Sequence, residues 1–243
     1  MKAMILAAGL GTRLGELTAT KPKALVEING ITMLEGLILR LKEQGISQFL
    51  INVHHYGEQI IYFIQEKKNF GVEIQISDER KELLDTGGAI KKAAAFFEGN
   101  EPVLVHNVDV YSELKLAKLL DYHLEMEAMA TLCVRKRSSG RALMFSSKNQ
   151  LVGWVNLDEC IYKWVKEPMT NFETYAYNGV FIADAKFAGK IPYQGKFSII
   201  DCWLEMAKTK KIIGFFDESP AWFDFGSVEK IQLAEQFLQR KRR

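Results

Sequence analysis

Cysteine is scarce in this chain: Cys133, Cys160 and Cys202 are the only three in 243 residues. They form no CxxC pair and leave an odd thiol over, which excludes a disulfide framework and a zinc knuckle and fits a reducing compartment. The four histidines offer no metal-ligand spacing, since His54 and His55 are adjacent and read as a strand-end pair. No Ser-His or Cys-His arrangement marks a nucleophilic triad. An excess of one charge is also missing. The formal net charge is +2, so neither nucleic acid nor an anionic membrane surface is implied as a partner. No apolar run reaches the roughly 20 residues of a membrane helix. Residues 3–10 have the length of a short leader core, but only Lys2 precedes them and they run on into a glycine loop. Internal repeats, low-complexity tracts and Pro/Ser-rich linkers are absent as well. A single cytoplasmic domain, 1–243, is the expectation that remains.

What is present is an apolar fraction of 48%, enough for a real core, beside an ordinary charged fraction of 26%. Short apolar runs alternate with helical spacing. Residues 2–6 predict a strand, and 33–44 a helix with Leu34, Leu37, Ile38 and Leu41 on one face and Gly45 closing it. A strand at 49–54, a helix at 56–67 with Ile60, Ile61 and Ile64 inward, a strand at 72–77, a helix at 88–97 and a strand at 103–107 follow. Strands alternating with crossover helices predict an α/β fold of Rossmann-like, doubly wound type with a mostly parallel sheet. After a helix at 114–125, short strands at 130–134, 142–145, 151–155, 162–165 and 175–182 predict a mixed or antiparallel extension. Helices at 199–209 and 228–240 close the pattern, and the basic end, residues 239–243, suits a helix dipole.

The chemistry concentrates near the N-terminus. Ile5-Leu6-Ala7-Ala8-Gly9-Leu10-Gly11-Thr12-Arg13 reads as a buried strand breaking into a glycine loop, and Lys21-Pro22-Lys23 follows it. Two glycines let backbone N–H groups approach an anion with no Cβ in the way. Thr12 adds a hydroxyl, and Arg13 and Lys23 add positive charge. That set suits a nucleoside polyphosphate. A Walker loop needs Lys-Ser or Lys-Thr after its last glycine, where this chain has Thr12-Arg13. A dinucleotide fingerprint needs a third glycine where this chain has Leu14. Further on, Asp109 lies just past the carboxyl end of a buried strand, the edge at which open parallel sheets bind ligands. Asp224 interrupts the apolar run Trp222-Phe223-Asp224-Phe225-Gly226, where an ionised group is costly unless paired or metal-bound. Either aspartate could equally be a cap or turn residue, and spacing alone does not bring them together.

Gly-x-Gly-Thr-Arg followed by Lys-Pro-Lys resembles the first motif of the sugar-1-phosphate nucleotidyltransferases, the nucleotide-diphosphate-sugar pyrophosphorylases. The resemblance runs over nearly the whole chain. It implies a GT-A-like fold with a nucleotide-binding half at about 1–125 and a sugar-binding half at about 126–243. Mg²⁺ would be held by Asp109 and Asp224, which match the family's metal aspartates although Val108 replaces a glycine and Ser227 a threonine. The nucleotide would be met by Leu6, Ala7, Ala8, Gly9, Gly11, Thr12, Arg13 and Asn107. It would also meet Thr86, Gly87 and Gly88 of Leu84-Asp85-Thr86-Gly87-Gly88-Ala89-Ile90, the loop that receives the base. Thr86 is placed to cap the helix after it.

For the sugar, the resemblance implies Asn178 and Gly179 with Asp109. It adds Glu167 from Lys166-Glu167-Pro168, the family's Glu-Lys-Pro with its charges exchanged. The implied catalytic set is Arg13, Lys23, Asp109 and Asp224. Gly11, Thr12 and Arg13 would take the β- and γ-phosphates, and Lys23 would bridge the α-phosphate and the attacking phosphate. No general base is needed, because a phosphate monoester is largely ionised at neutral pH. The implied partners are a nucleoside triphosphate and a sugar-1-phosphate; a homo-oligomer is compatible with the sequence and not determined by it.

The motifs leave N-acetylmuramate-1-phosphate with UTP, or mannose- or heptose-1-phosphate with GTP, as the pairs to expect. A cytidylyltransferase for a non-sugar phosphate such as phosphocholine would keep the same loop, lysine and metal aspartates. A non-catalytic nucleotide-sensing homologue would keep the fold. Arg135-Lys136-Arg137 and Arg141 flank a hairpin; they could touch the sugar phosphate, but a solvated face is the reading preferred.

Overall fold

The structure, a computed structural model, describes residues 1–241. The chain builds two compact units. Residues 1–83, 106–114 and 219–241 form the first, and 84–105 and 115–218 the second.

The first unit opens with β1 (Lys2–Leu6), whose Ala3, Met4 and Ile5 are fully buried. Past the glycine loop come the short hairpin β2 (Glu27–Ile28) and β3 (Ile31–Thr32), then helix α1 (Met33–Glu43). Thr32 caps α1 by accepting the Glu35 N–H at 3.1 Å. Leu34, Leu37, Ile38 and Leu41 form its buried stripe, and Gly45, at φ +90°, turns the chain out of it. β4 (Gln48–Val53), α2 (Gly57–Glu66) and β5 (Glu73–Asp78) follow. β4 pairs parallel with β1, and β5 parallel with β4, as the βα alternation predicts. On α2 the outcome differs slightly: Ile60 and Ile64 are buried, whereas Ile61 is half-buried at the edge of the stripe.

The chain enters the second unit through α3 (Asp85–Lys92) and α4 (Ala94–Phe97). The single helix expected from residue 88 thus starts three residues earlier and breaks at Ala93. Packing decides the early start: the Gly87 N–H donates to the Phe197 carbonyl at 3.0 Å. That contact offsets the poor helix propensity of two adjacent glycines. β6 (Val103–Asn107) returns the chain to the first unit, where β7 (Val110–Ser112) follows.

The rest of the second unit comprises α5 (Leu116–Glu125), β8 (Ala130–Arg135), β9 (Arg141–Phe145), β10 (Leu151–Asn156) and β11 (Ile161–Trp164). After these come β12 (Glu173–Ala183), α6 (Ile199–Ala207) and β13 (Ile212–Phe216). The strands run β11-β10-β9-β12-β8 in antiparallel order, with β13 added parallel to β8. The antiparallel extension is as expected; β13 is additional, because a short apolar run does not distinguish strand from buried helix. Trp203 is fully buried and meets Tyr177 and Phe181 edge-on, at ring distances of 5.0 and 5.1 Å.

The chain returns to the first unit as β14 (Trp222–Asp224) and α7 (Val228–Lys241). Of the basic end, Arg242 and Arg243 lie outside the described residues. All three cysteines are free thiols. Among the described residues no helix is long and apolar enough to cross a membrane.

Two histidines are built into the packing. His106 and His123 are buried, and burial pushes each ring pKa down to about 4. The His123 Nδ1 meets the Thr131 hydroxyl at 2.9 Å. Both rings are neutral in the folded chain and would protonate near pH 6.5 once unfolded. Their contribution is therefore complete above that pH and shrinks as the pH falls toward 4. Between pH 7 and 5 each histidine should cost about 2 kcal/mol of stability. Urea unfolding at the two pH values tests this, with His123→Gln expected to flatten the slope. Equal midpoints at both pH values would overturn it.

Candidate active site

The glycine loop leaves β1 anchored from two sides. The Val108 N–H donates to the Leu6 carbonyl at 3.1 Å. The Ala7 N–H donates to Asn52 Oδ1 at 2.7 Å, and Asn52 Nδ2 in turn donates to Glu79 Oε1 at 2.9 Å. Asn52 and Glu79 are both buried, so this chain of amide and carboxylate fixes the loop entrance from beneath. The two loop glycines have different reasons to be there. Gly11 adopts φ +69°, and a Cβ on it would press on Thr18 Cγ2 at 3.0 Å and Lys23 Cβ at 3.1 Å. A Cβ on Gly9 would meet nothing within 4 Å. Gly9 is thus not demanded by the fold around it, and its bare backbone faces open space. Thr12 and Arg13 are exposed at the head of a 3₁₀ segment, Thr12–Thr18, and the Thr18 hydroxyl donates back to the Gly11 carbonyl at 3.0 Å.

Lys23 opens a second 3₁₀ turn, Lys23–Leu25, directly after Pro22. It is buried to 8% exposure, and its ammonium bonds Asp109 Oδ2. Asp109 lies between β6 and β7, and β7 pairs antiparallel with β14 so that Val110 stands opposite Asp224. One step further the Phe225 N–H donates to the Asp109 carbonyl at 2.8 Å. This ladder joins the two aspartates that lie more than a hundred residues apart in the chain. Asp224 accepts from the Gly226 N–H at 3.2 Å and from Lys230 Nζ at 2.6 and 2.8 Å. Arg13 closes on the same spot: a Cβ on Gly226 would lie 2.7 Å from Asp224 Oδ1 and 3.2 and 3.3 Å from the Arg13 guanidinium nitrogens. The structure therefore gathers Arg13, Lys23, Asp109 and Asp224 within the first unit. Asn107, half-buried at the end of β6, accepts from His106 Nδ1 through its carbonyl at 2.7 Å.

The donor set fits a hard divalent cation. Among the described residues no group of three or more His, Cys, Asp or Glu is placed to hold a metal. Two carboxylates and no nitrogen or sulfur ligand match the way Mg²⁺ is usually bound, with substrate phosphates and water completing the shell. Each carboxylate is paired with an ammonium, Asp109 with Lys23 and Asp224 with Lys230.

The remaining expected residues lie in the second unit. Thr86 does not cap its own helix: it sits inside the first turn of α3, and its hydroxyl accepts the Ile199 N–H at 3.0 Å, at the start of α6. The next amide, Ile200 N–H, goes to the Ser198 hydroxyl at 3.2 Å, so two side chains divide the orphan donors of α6. A Cβ on Gly87 would fall 2.4 Å from the Phe197 ring, and one on Gly88 2.3 Å from the Gly195 carbonyl. These glycines are thus required by close packing against the 195–197 segment. Asn178 and Gly179 occupy an irregularity in β12: between Tyr177 and Phe181 the register against β8 shifts. Gly179 takes φ +82°, and buried Asn178 donates to Asp217 Oδ2 at 2.8 Å. Bulges of this kind re-aim side chains next to sites. Glu167 is not brought to them. With Lys166 it lines a separate cavity of about 290 Å³ beside Lys208, Lys210 and Lys211.

Sequence reasoning missed Asn52, Glu79, Asp217 and Lys230. The signal for Asn52 was a lone amide inside the apolar strand 49–53; Lys230 carried none, being one cation among many on an exposed helix face. Arg137 is half-buried and Arg141 exposed. Both line a cavity of about 170 Å³ with Ser139, Trp154 and Tyr177.

A family model described as nucleotidyl transferase matches residues 2–241. The N-acetylmuramate alpha-1-phosphate uridylyltransferase of Caulobacter vibrioides is 30% identical over 245 residues, covering 97% of this chain and 96% of that protein. A mannose-1-phosphate guanyltransferase of Schizosaccharomyces pombe is 26% identical over 227 residues, covering 93% of this chain and 61% of that one. Among solved structures, HddC from Yersinia pseudotuberculosis complexed with GMP-PN matches with a TM-score of 0.77 at 24% identity, covering 98% of this chain and 99% of that chain.

Proposed function

Since the chain belongs to the nucleotidyl transferase family, we propose that it joins a sugar-1-phosphate to a nucleoside triphosphate, giving a nucleotide sugar and pyrophosphate. The observation that carries this reading is the β7–β14 ladder, which sets Asp224 beside Asp109 while Lys23 bonds Asp109. The identity over nearly the full length of both chains favours N-acetylmuramate-1-phosphate and UTP as the substrates. Mannose- or heptose-1-phosphate with GTP is the second pair.

The attacking group is a phosphate oxygen, already ionised at neutral pH, so no residue has to remove a proton. The barrier lies in bringing two polyanions together in line, and catalysis is therefore positioning and charge neutralisation. Bare backbone at Gly9 and Gly11, with the Thr12 hydroxyl and the Arg13 guanidinium, would hold the β- and γ-phosphates that leave as pyrophosphate. Leu6, Ala7, Ala8 and Asn107 would complete the nucleotide's surroundings in this unit. Lys23, fixed by Asp109, would neutralise the α-phosphate and the incoming phosphate together. Asp109 and Asp224 would hold Mg²⁺, which when bound supplies further charge stabilisation at the α-phosphate. Asn178 and Gly179 would receive the sugar at the β12 bulge. Three free thiols suit a reducing cytoplasm.

The test is Mg²⁺-dependent pyrophosphate release from UTP, GTP, CTP and dTTP, each with N-acetylmuramate-1-phosphate, mannose-1-phosphate and phosphocholine. Release with UTP and N-acetylmuramate-1-phosphate is the expected result. Release only with phosphocholine, or none in the panel while triphosphate still binds, would overturn the reading.

A further inference from the structure

The cavity of about 170 Å³ in the second unit carries more charge than a neutral acceptor requires. Its walls are Arg137, Ser139, Arg141, Trp154 and Tyr177, with apolar side chains behind them. Arg137 is locked in place: its Nη2 donates to the Tyr177 carbonyl at 3.1 Å and its Nη1 to the Ser138 carbonyl at 3.4 Å. Arg141 is exposed, and the turn that presents it is fixed by Ser139, whose hydroxyl donates to the Arg141 carbonyl at 2.8 Å and accepts the Arg141 N–H at 3.3 Å. No carboxylate lines the cavity among the described residues; Asp158 packs against Gly140, outside the lining. Tyr177, one wall of the cavity, directly precedes the Asn178-Gly179 pair in the β12 bulge.

Two guanidiniums on preorganised backbone, beside an aromatic wall, are built for a small planar anion. The space is below the usual size of a whole ligand pocket, about 300–1,000 Å³, and suits a substituent. We propose that Arg137 and Arg141 form an acceptor-specificity subsite that selects sugar phosphates bearing an additional acidic group, a carboxylate on the ring or on an ether arm. This rests on the reading of the chain as a sugar-1-phosphate nucleotidyltransferase.

N-acetylmuramate-1-phosphate and N-acetylglucosamine-1-phosphate differ only by a carboxylate-bearing ether, so the pair isolates the claim. The wild-type chain should favour the acidic acceptor in kcat/KM by about tenfold to hundredfold, as expected for charge-assisted hydrogen bonds. Arg141→Ala should collapse that ratio toward one, and Arg141→Lys should restore part of it. Equal losses on both acceptors would mean that Arg141 holds the 1-phosphate common to both, and would overturn the proposal. So would a wild-type chain that does not discriminate. If neither acceptor turns over with any triphosphate, the proposed reaction fails. Calorimetric titration of the full chain with free N-acetylmuramate and N-acetylglucosamine then decides the subsite alone. Acid-selective binding lost in Arg141→Ala supports it, and no selectivity overturns it.

Discussion

Lys23→Ala is expected to lower kcat by about 10²–10³-fold, the usual loss for one preorganised electrostatic donor. Lys23 is already held in place by its surroundings. It is nearly buried, sits directly after Pro22, and is ion-paired with Asp109. Removing it takes away the cation that would meet both phosphates, and it leaves Asp109 without its partner beside an incoming triphosphate. Lys23→Arg should recover little, because a planar fork does not occupy the space of a compact ammonium. Single-turnover kinetics check the effect, with thermal unfolding alongside to separate lost chemistry from lost folding. A kcat within a few-fold of wild type in a folded Lys23→Ala chain would remove Lys23 from the catalytic set.

Asp109→Asn and Asp224→Asn should each reduce Mg²⁺-dependent turnover by about 10³-fold or more, since a bound cation supplies several kcal/mol of charge stabilisation. The two substitutions differ in what they release. Asp109→Asn loosens Lys23, whereas Asp224→Asn loosens Lys230, so only the first also disturbs the lysine expected at the α-phosphate. If both carboxylates hold one ion, the double variant should be little worse than either single one. Mn²⁺ binding, followed by electron paramagnetic resonance on the nucleotide-bound chain, gives a readout independent of turnover. Unchanged Mn²⁺ affinity in both variants would show that the metal is held elsewhere.

Much of the fold could be read from residue order. Alternating apolar runs and helical stretches placed β1, α1, β4, α2, β5 and β6 within a residue or two, because each buries one continuous or periodic face. The short pieces β7 and β14 escaped notice. Three residues carry no period, and those two strands exist only because they pair with each other across the sequence. The start of α3 was misplaced for a similar reason: glycines at 87 and 88 argue against a helix until Phe197 and Gly195 are packed upon them.

The candidate site divides along the same line. The loop residues Gly9 to Arg13, together with Lys23, were recognisable from composition and spacing, since phosphate chemistry demands bare backbone and cations within a short stretch. Local chemistry also marked Asp109 and Asp224 as unusual, one at a strand end and one in an apolar run. That their backbones lie at neighbouring register positions was decided by the β7–β14 pairing. Tertiary packing likewise assigned the Thr86 hydroxyl to α6, tied Asn178 to Asp217, and set Arg137 and Arg141 on the walls of one cavity. Residue order determines which groups can bind phosphate, because that requirement is local. Which carboxylates and cations share a site depends on strand register and side-chain packing across the chain, and those exist only once it has folded.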